Sequence, residues 1–82
     1  MTKHHTLYYS TYCYFCQKVL RFLKGRDQLD IGLRSTSERQ HAVDLMNGGG
    51  KTQVPCLRIE DGNGAVQWMY ESDDIVNYLS SL

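Results

Sequence analysis

The chain has one proline, one tryptophan and two phenylalanines in 82 residues, and no apolar run nears the ~18–20 residues of a membrane-spanning helix. Collagen-like and proline-rich extended structures are thereby excluded. Charge of either sign is not in excess: nine Lys plus Arg balance nine Asp plus Glu, for a formal net charge of zero. The broad positive field that non-specific nucleic-acid binding needs is missing, so neither nucleic acid nor membrane is an expected partner. Met1 to His5 leads into no signal-peptide apolar segment, which makes a cytoplasmic protein the expectation. The three cysteines, Cys13, Cys16 and Cys56, are too few and odd in number for a secreted disulfide framework. What remains is a single globular domain, residues 1–82, of a size that buries only ~60–65% of its unfolded surface.

Strand and helix periods alternate along it. Thr6-Leu7-Tyr8-Tyr9-Ser10 reads as a short strand. Phe15, Val19, Phe22 and Leu23, with Leu20 beside them, carry helical spacing that Gly25 should end. Leu29, Ile31 and Leu33 alternate with polar residues as a second strand. Ser35-Thr36-Ser37-Glu38 has capping-box spacing and predicts a helix through Ala42, Val43, Leu45 and Met46, stopped by Asn47-Gly48-Gly49-Gly50. Cys56 to Glu60 and the Val66, Trp68, Tyr70 alternation flank a hairpin turn at Asp61-Gly62-Asn63-Gly64. Ser72 should cap a last helix with Ile75, Val76, Tyr78 and Leu79 inward. The predicted order β-α-β-α-β-β-α is α/β and thioredoxin-like, a four-stranded mixed sheet flanked by three helices.

Chemistry concentrates at Cys13 and Cys16. Cys13 falls where the first strand passes into the first helix, and unpartnered first-turn amides with the helix dipole favour thiolate at such a place. Cys16 follows one turn later, within bonding reach. An exposed attacking sulfur and a shielded resolving one are the two roles that thiol–disulfide exchange needs. The competing reading is half of a structural zinc site. Zinc needs four ligands, and only Cys56, His4, His5 and His41 remain, scattered, so no metal site is expected. Cys56 is expected to be a buried, inert thiol. Pro55 by residue type alone would be a trans proline opening a strand.

Three motifs together resemble the glutaredoxin family: Tyr12-Cys13-Tyr14-Phe15-Cys16, Lys51-Thr52-Gln53-Val54-Pro55 and Tyr70-Glu71-Ser72-Asp73-Asp74-Ile75. The last two are also similar to the amino-terminal domain of glutathione transferases. A chain that stops at Leu82, without a helical second domain, tips the expectation toward glutaredoxin. That resemblance implies a glutathione-disulfide oxidoreductase acting on glutathione mixed disulfides and on protein or small-molecule disulfides. Cys13 would be its nucleophile and Cys16 its resolving thiol. Glutathione would lie against Tyr12 and Phe15, and pair with the Val54 backbone before a cis Pro55. Ser72 and Asp73 would hold its γ-glutamyl group, with Lys51, Gln53 or Arg39 for the glycine carboxylate. Glutathione would be the co-substrate of a monomer with no tightly bound cofactor. Tyr14 stands where glutaredoxins commonly carry proline. Members of the family lacking that proline imply an alternative, a glutathione-ligated [2Fe–2S] carrier or sensor formed as a dimer.

Overall fold

The computed structural model describes residues 3–82. Strand β1 (His4–Tyr9) lies at the centre of a four-stranded sheet of order β2-β1-β3-β4. It runs parallel to β2 (Ile31–Ser35) and antiparallel to β3 (Cys56–Glu60), which pairs antiparallel with β4 (Val66–Met69). Helix α1 (Tyr14–Leu23) makes the crossover from β1 to β2, α2 (Arg39–Gly49) links β2 to β3, and α3 (Ser72–Ser80) follows β4. The sheet is mixed, the helices number three, and the connections are those of the thioredoxin-like fold.

Period-two alternation splits the core into two layers. Leu7 on β1 with Leu57 and Ile59 on β3 meet Val19 of α1 and Ile75 and Leu79 of α3. The residues next in line, Tyr8 and Cys56, point to the other face and meet Leu45 of α2. Fully burying a Leu or Ile contributes about 1.5–3 kcal/mol, so the α1–α3 layer carries most of the apolar stabilisation.

Several local expectations shift. The spacing at Ser35–Glu38 forms no capping box: Ser35 ends β2, and Glu38 precedes α2 without a side-chain cap bond. The Ser35 hydroxyl instead sits 2.7 Å from that of Ser37. Asn47, Gly48 and Gly49 do not stop α2 but complete it, and the break comes at Gly50, whose φ of 86° is left-handed. The reason is packing. Leu45, Gly48 and Gly49, at i, i+3 and i+4, face the sheet, and a β-carbon at Gly48 would fall 2.7 Å from Cη2 of Trp68. Val43 and Met46 are correspondingly exposed. Leu29 belongs to a 3-10 turn (Asp27–Leu29), and Leu33, on the edge strand β2, is exposed. Ser72 is the first residue of α3, not its cap, which is Glu71.

His5 is not a free surface residue. Its Nε2 lies 2.8 Å from the Tyr78 hydroxyl, tying β1 to α3. Burial, then the charges of Lys3 and His4, push its pKa below the ordinary 6.5. The folded chain therefore binds this proton less readily than the unfolded chain, and stability from this group is lost as pH falls below about 6.5. Urea midpoints measured at pH 7 and pH 5 should drop, and His5→Gln should show a smaller drop than the parent.

Candidate functional site

The turn Ser10–Cys13 carries the chain from β1 into α1, closed by the Cys13 amide donating to the Ser10 carbonyl at 3.3 Å. The Gln17 side chain donates back to the Thr11 carbonyl at 2.8 Å and fixes this loop. Cys13 is thereby the N-cap of α1, in extended conformation, with its sulfur accepting the Cys16 amide N–H at 3.3 Å. A sulfur in the cap position satisfies one of the helix's unpartnered donors, as a Ser or Asp oxygen would. The Cys13 thiol also points at the Val54 carbonyl, 3.8 Å away, so the loop before β3 borders it.

Cys16 is the opposite case. It is fully buried on the inner face of α1, and burial pushes its pKa up to about 12. The Ser10 amide, donating to its sulfur at 3.4 Å, opposes that rise only in part. The two thiols thus differ in access: one half exposed at the helix tip, one sealed and protonated beneath it. Cys56 is buried on the α2 side of the sheet, raised to about 11 by burial, away from the pair.

Beside Cys13 opens a cleft of about 200 Å³. Phe15, Gln53, Val54, Pro55, Ser72 and Asp73 all line it, and the Val54–Pro55 bond is cis. Tyr12 and Lys51 are not part of its wall: Tyr12 is 98% exposed on the loop, and the Lys51 ammonium lies over the Tyr70 ring at 5.0 Å. Arg39, exposed at the start of α2, is also outside the wall. Phe15 is 56% exposed, so the apolar face of α1 runs through Cys16 and Val19 and leaves Phe15 on the cleft rim.

Sequence reasoning assigned no site role to Tyr70 and Glu71, which line the same cleft. The Tyr70 hydroxyl donates to the Lys51 carbonyl at 3.2 Å and so braces the loop before Val54. The signal is present, since both lie inside the third motif, but the Val66, Trp68, Tyr70 alternation reads as strand, whereas β4 ends at Met69 and leaves Tyr70 to the cleft. Also outside sequence reach is an ion pair between Lys18 of α1 and Asp73 of α3. Among the described residues, no group of three His, Cys, Asp or Glu side chains converges as a metal site.

With this geometry in view, the chain matches the family described as "Glutathione S-transferase, N-terminal domain" over residues 7–82, and it belongs to that family. The second of the two resemblances in the sequence is thus the one that this match bears out. No curated protein matches the chain. Among solved structures it is similar to the first two thioredoxin domains of Saccharomyces cerevisiae Eps1p, at 16% identity and a TM-score of 0.46. That similarity covers 94% of this chain and 33% of the other, so the chain spans about a third of its length. A thioredoxin-like domain of the transferase family with a C-x-x-C pair at its helix tip is consistent with thiol redox chemistry.

Proposed function

We propose that the protein is a glutathione-dependent thiol–disulfide oxidoreductase of glutaredoxin type. The observation that carries this reading is the asymmetry of the pair: Cys13 half exposed in the N-cap of α1, Cys16 sealed below with its proton held. On a glutathionylated protein, the Cys13 thiolate attacks the glutathione sulfur. The mixed disulfide breaks, the protein sulfur leaves and takes up a proton, and glutathione stays on Cys13. A second glutathione thiolate then attacks that glutathione sulfur, releasing oxidised glutathione and restoring the Cys13 thiolate. On a protein disulfide, Cys13 attacks one sulfur and expels the other, which takes up a proton; Cys16, after giving up its proton, then attacks the Cys13 sulfur of that mixed disulfide and expels the sulfur first attacked. Two glutathiones reduce the resulting Cys13–Cys16 disulfide.

The cleft supplies matching chemistry for the tripeptide. The Val54 backbone borders Cys13, where the cysteinyl segment would lie. Ser72 and the free amides at the start of α3 suit the γ-glutamyl carboxylate, and Asp73 suits its ammonium. Lys51, Gln53 and Arg39 are the groups offered for the glycine carboxylate, with Gln53 on the cleft wall. A cytoplasmic setting, where glutathione is abundant, follows from the same reading.

Reduction of β-hydroxyethyl disulfide by glutathione, coupled to glutathione reductase, tests the proposal. Turnover that depends on both protein and glutathione is expected. The family match favours one second reading, a glutathione-binding module without redox turnover. Glutathione binding by calorimetry together with absence of turnover would select it.

Because Lys18 already holds Asp73, the ligand ammonium must displace a lysine. An exposed pair of this kind contributes about 0.2–1 kcal/mol. Lys18→Met should therefore tighten glutathione binding by about 1.5- to fivefold, and Asp73→Asn should weaken it. Unchanged affinity in both variants would put the ammonium elsewhere.

A further inference from the structure

The α2 face of the sheet carries a second cleft, larger than the first at about 410 Å³ and sharing none of its lining residues. Its floor is Thr6 and Tyr8 of β1, and the sheet register fixes what flanks them. Arg34 on β2 pairs with Tyr8, Arg58 on β3 pairs with Thr6, and Trp68 on β4 pairs with Arg58. Two guanidinium groups thus rise from the strands on either side of β1, while α2 supplies Asp44 and Asn47 across the opening.

These charges do not neutralise one another. Arg58 is held by Glu60 at 2.8 Å and lies over the Trp68 ring at 5.7 Å. Arg34 enters no ion pair among the described residues. Asp44 accepts a hydrogen bond from Gln40 at 2.8 Å and is ion-paired with neither arginine. Burial raises the pKa of the Tyr8 phenol, and all three charges act on it as well, the arginines lowering it and Asp44 adding to the rise. Two cations on one wall and a carboxylate on the other, kept apart by an opening of ligand size, is an arrangement complementary to a molecule with both signs of charge.

We propose that this cleft binds a small zwitterion, an α-amino acid or a short peptide, with its carboxylate between Arg34 and Arg58 and its ammonium toward Asp44 and Asn47. Planar guanidinium groups bind carboxylates in a fork that lysine cannot reproduce, and Arg34 is the one with capacity free. A plain anion such as phosphate would meet Asp44 as a like charge, which is why a zwitterion is the better fit. The site is independent of the thiol pair.

Trp68 is the sole tryptophan of the chain, so intrinsic fluorescence reads this cleft directly. Glycylglycine and N-acetylglycylglycine, which lacks the ammonium, are titrated at constant ionic strength, with calorimetry as a second readout. Glycylglycine should give a saturable response, and the acetylated peptide should bind at least fivefold more weakly. Asp44→Asn should erase the difference between the two peptides, and Arg34→Gln should weaken both at least fivefold. Arg34 is exposed on the edge strand, and unchanged far-UV circular dichroism would establish that the variant folds. The proposal is overturned if glycylglycine saturates neither signal, if the difference survives in Asp44→Asn, or if folded Arg34→Gln binds as the parent does.

Discussion

Cys13→Ser should lower glutathione-dependent disulfide turnover by at least ~10³-fold, because a hydroxyl cannot replace the thiolate as nucleophile. Cys16→Ser should keep reduction of glutathione mixed disulfides within a few-fold of the parent and lose only the route that closes an internal disulfide. The contrast follows from where α1 begins. Cys13 caps the helix at the surface, and Cys16, one turn on, faces inward among apolar side chains. Cys16 holds its proton up to about pH 12, so its thiolate fraction rises about tenfold per pH unit across the neutral range. Closure of the Cys13–Cys16 disulfide should accelerate accordingly between pH 7 and pH 9, as measured by quenched-flow alkylation. Full activity in Cys13→Ser would remove the site assignment altogether.

Gly48→Ala is the second large effect, and its sign is the test. In an exposed helix interior, replacing Gly by Ala stabilises by about 1 kcal/mol. At Gly48 the new β-carbon would enter the Trp68 ring, which Tyr8 and Arg58 hold in place with contacts of 5.7 Å each. Overpacking of this kind costs about 1–3 kcal/mol. A net destabilisation of up to about 2 kcal/mol is expected in urea unfolding, with a shifted Trp68 emission spectrum. Gly49 stands under the same constraint, since its β-carbon would fall 2.9 Å from Cζ of Tyr70. Stabilisation by Gly48→Ala would mean that α2 does not seat on Trp68.

The sequence made the architecture readable wherever period and turn chemistry agreed. Leu7 and Leu57, Val19, Ile75 and Leu79 stand in clean strand or helix spacing, and they form the larger core layer. The α2 region misled because its glycines serve contact, not termination. Gly48 and Gly49 let the helix approach two aromatic rings supplied some twenty residues later, and no local pattern announces that. Ser35 and Ser72 misled in a related way. Hydroxyl residues at helix starts are read as caps, but strand pairing claimed Ser35 and the cleft wall claimed Ser72.

The candidate site was legible to the same degree and for the same reason. Cys13 and Cys16 stand out by their spacing at a strand-to-helix junction, whereas Val54 and Ser72 become candidates only through motifs shared with known families. The cleft joining Phe15 to Asp73, and the hold that Lys18 has on Asp73, depend on how α1 and α3 pack against each other.

The most direct measurement locates the sulfur that first takes up glutathione. Reduced protein is mixed with a limiting amount of oxidised glutathione, quenched with acid, digested and read by mass spectrometry. The adduct should appear on Cys13 alone, persisting in Cys16→Ser and passing to a Cys13–Cys16 disulfide in the parent. An adduct first formed on Cys16 or Cys56, or no adduct at Cys13, would contradict the account.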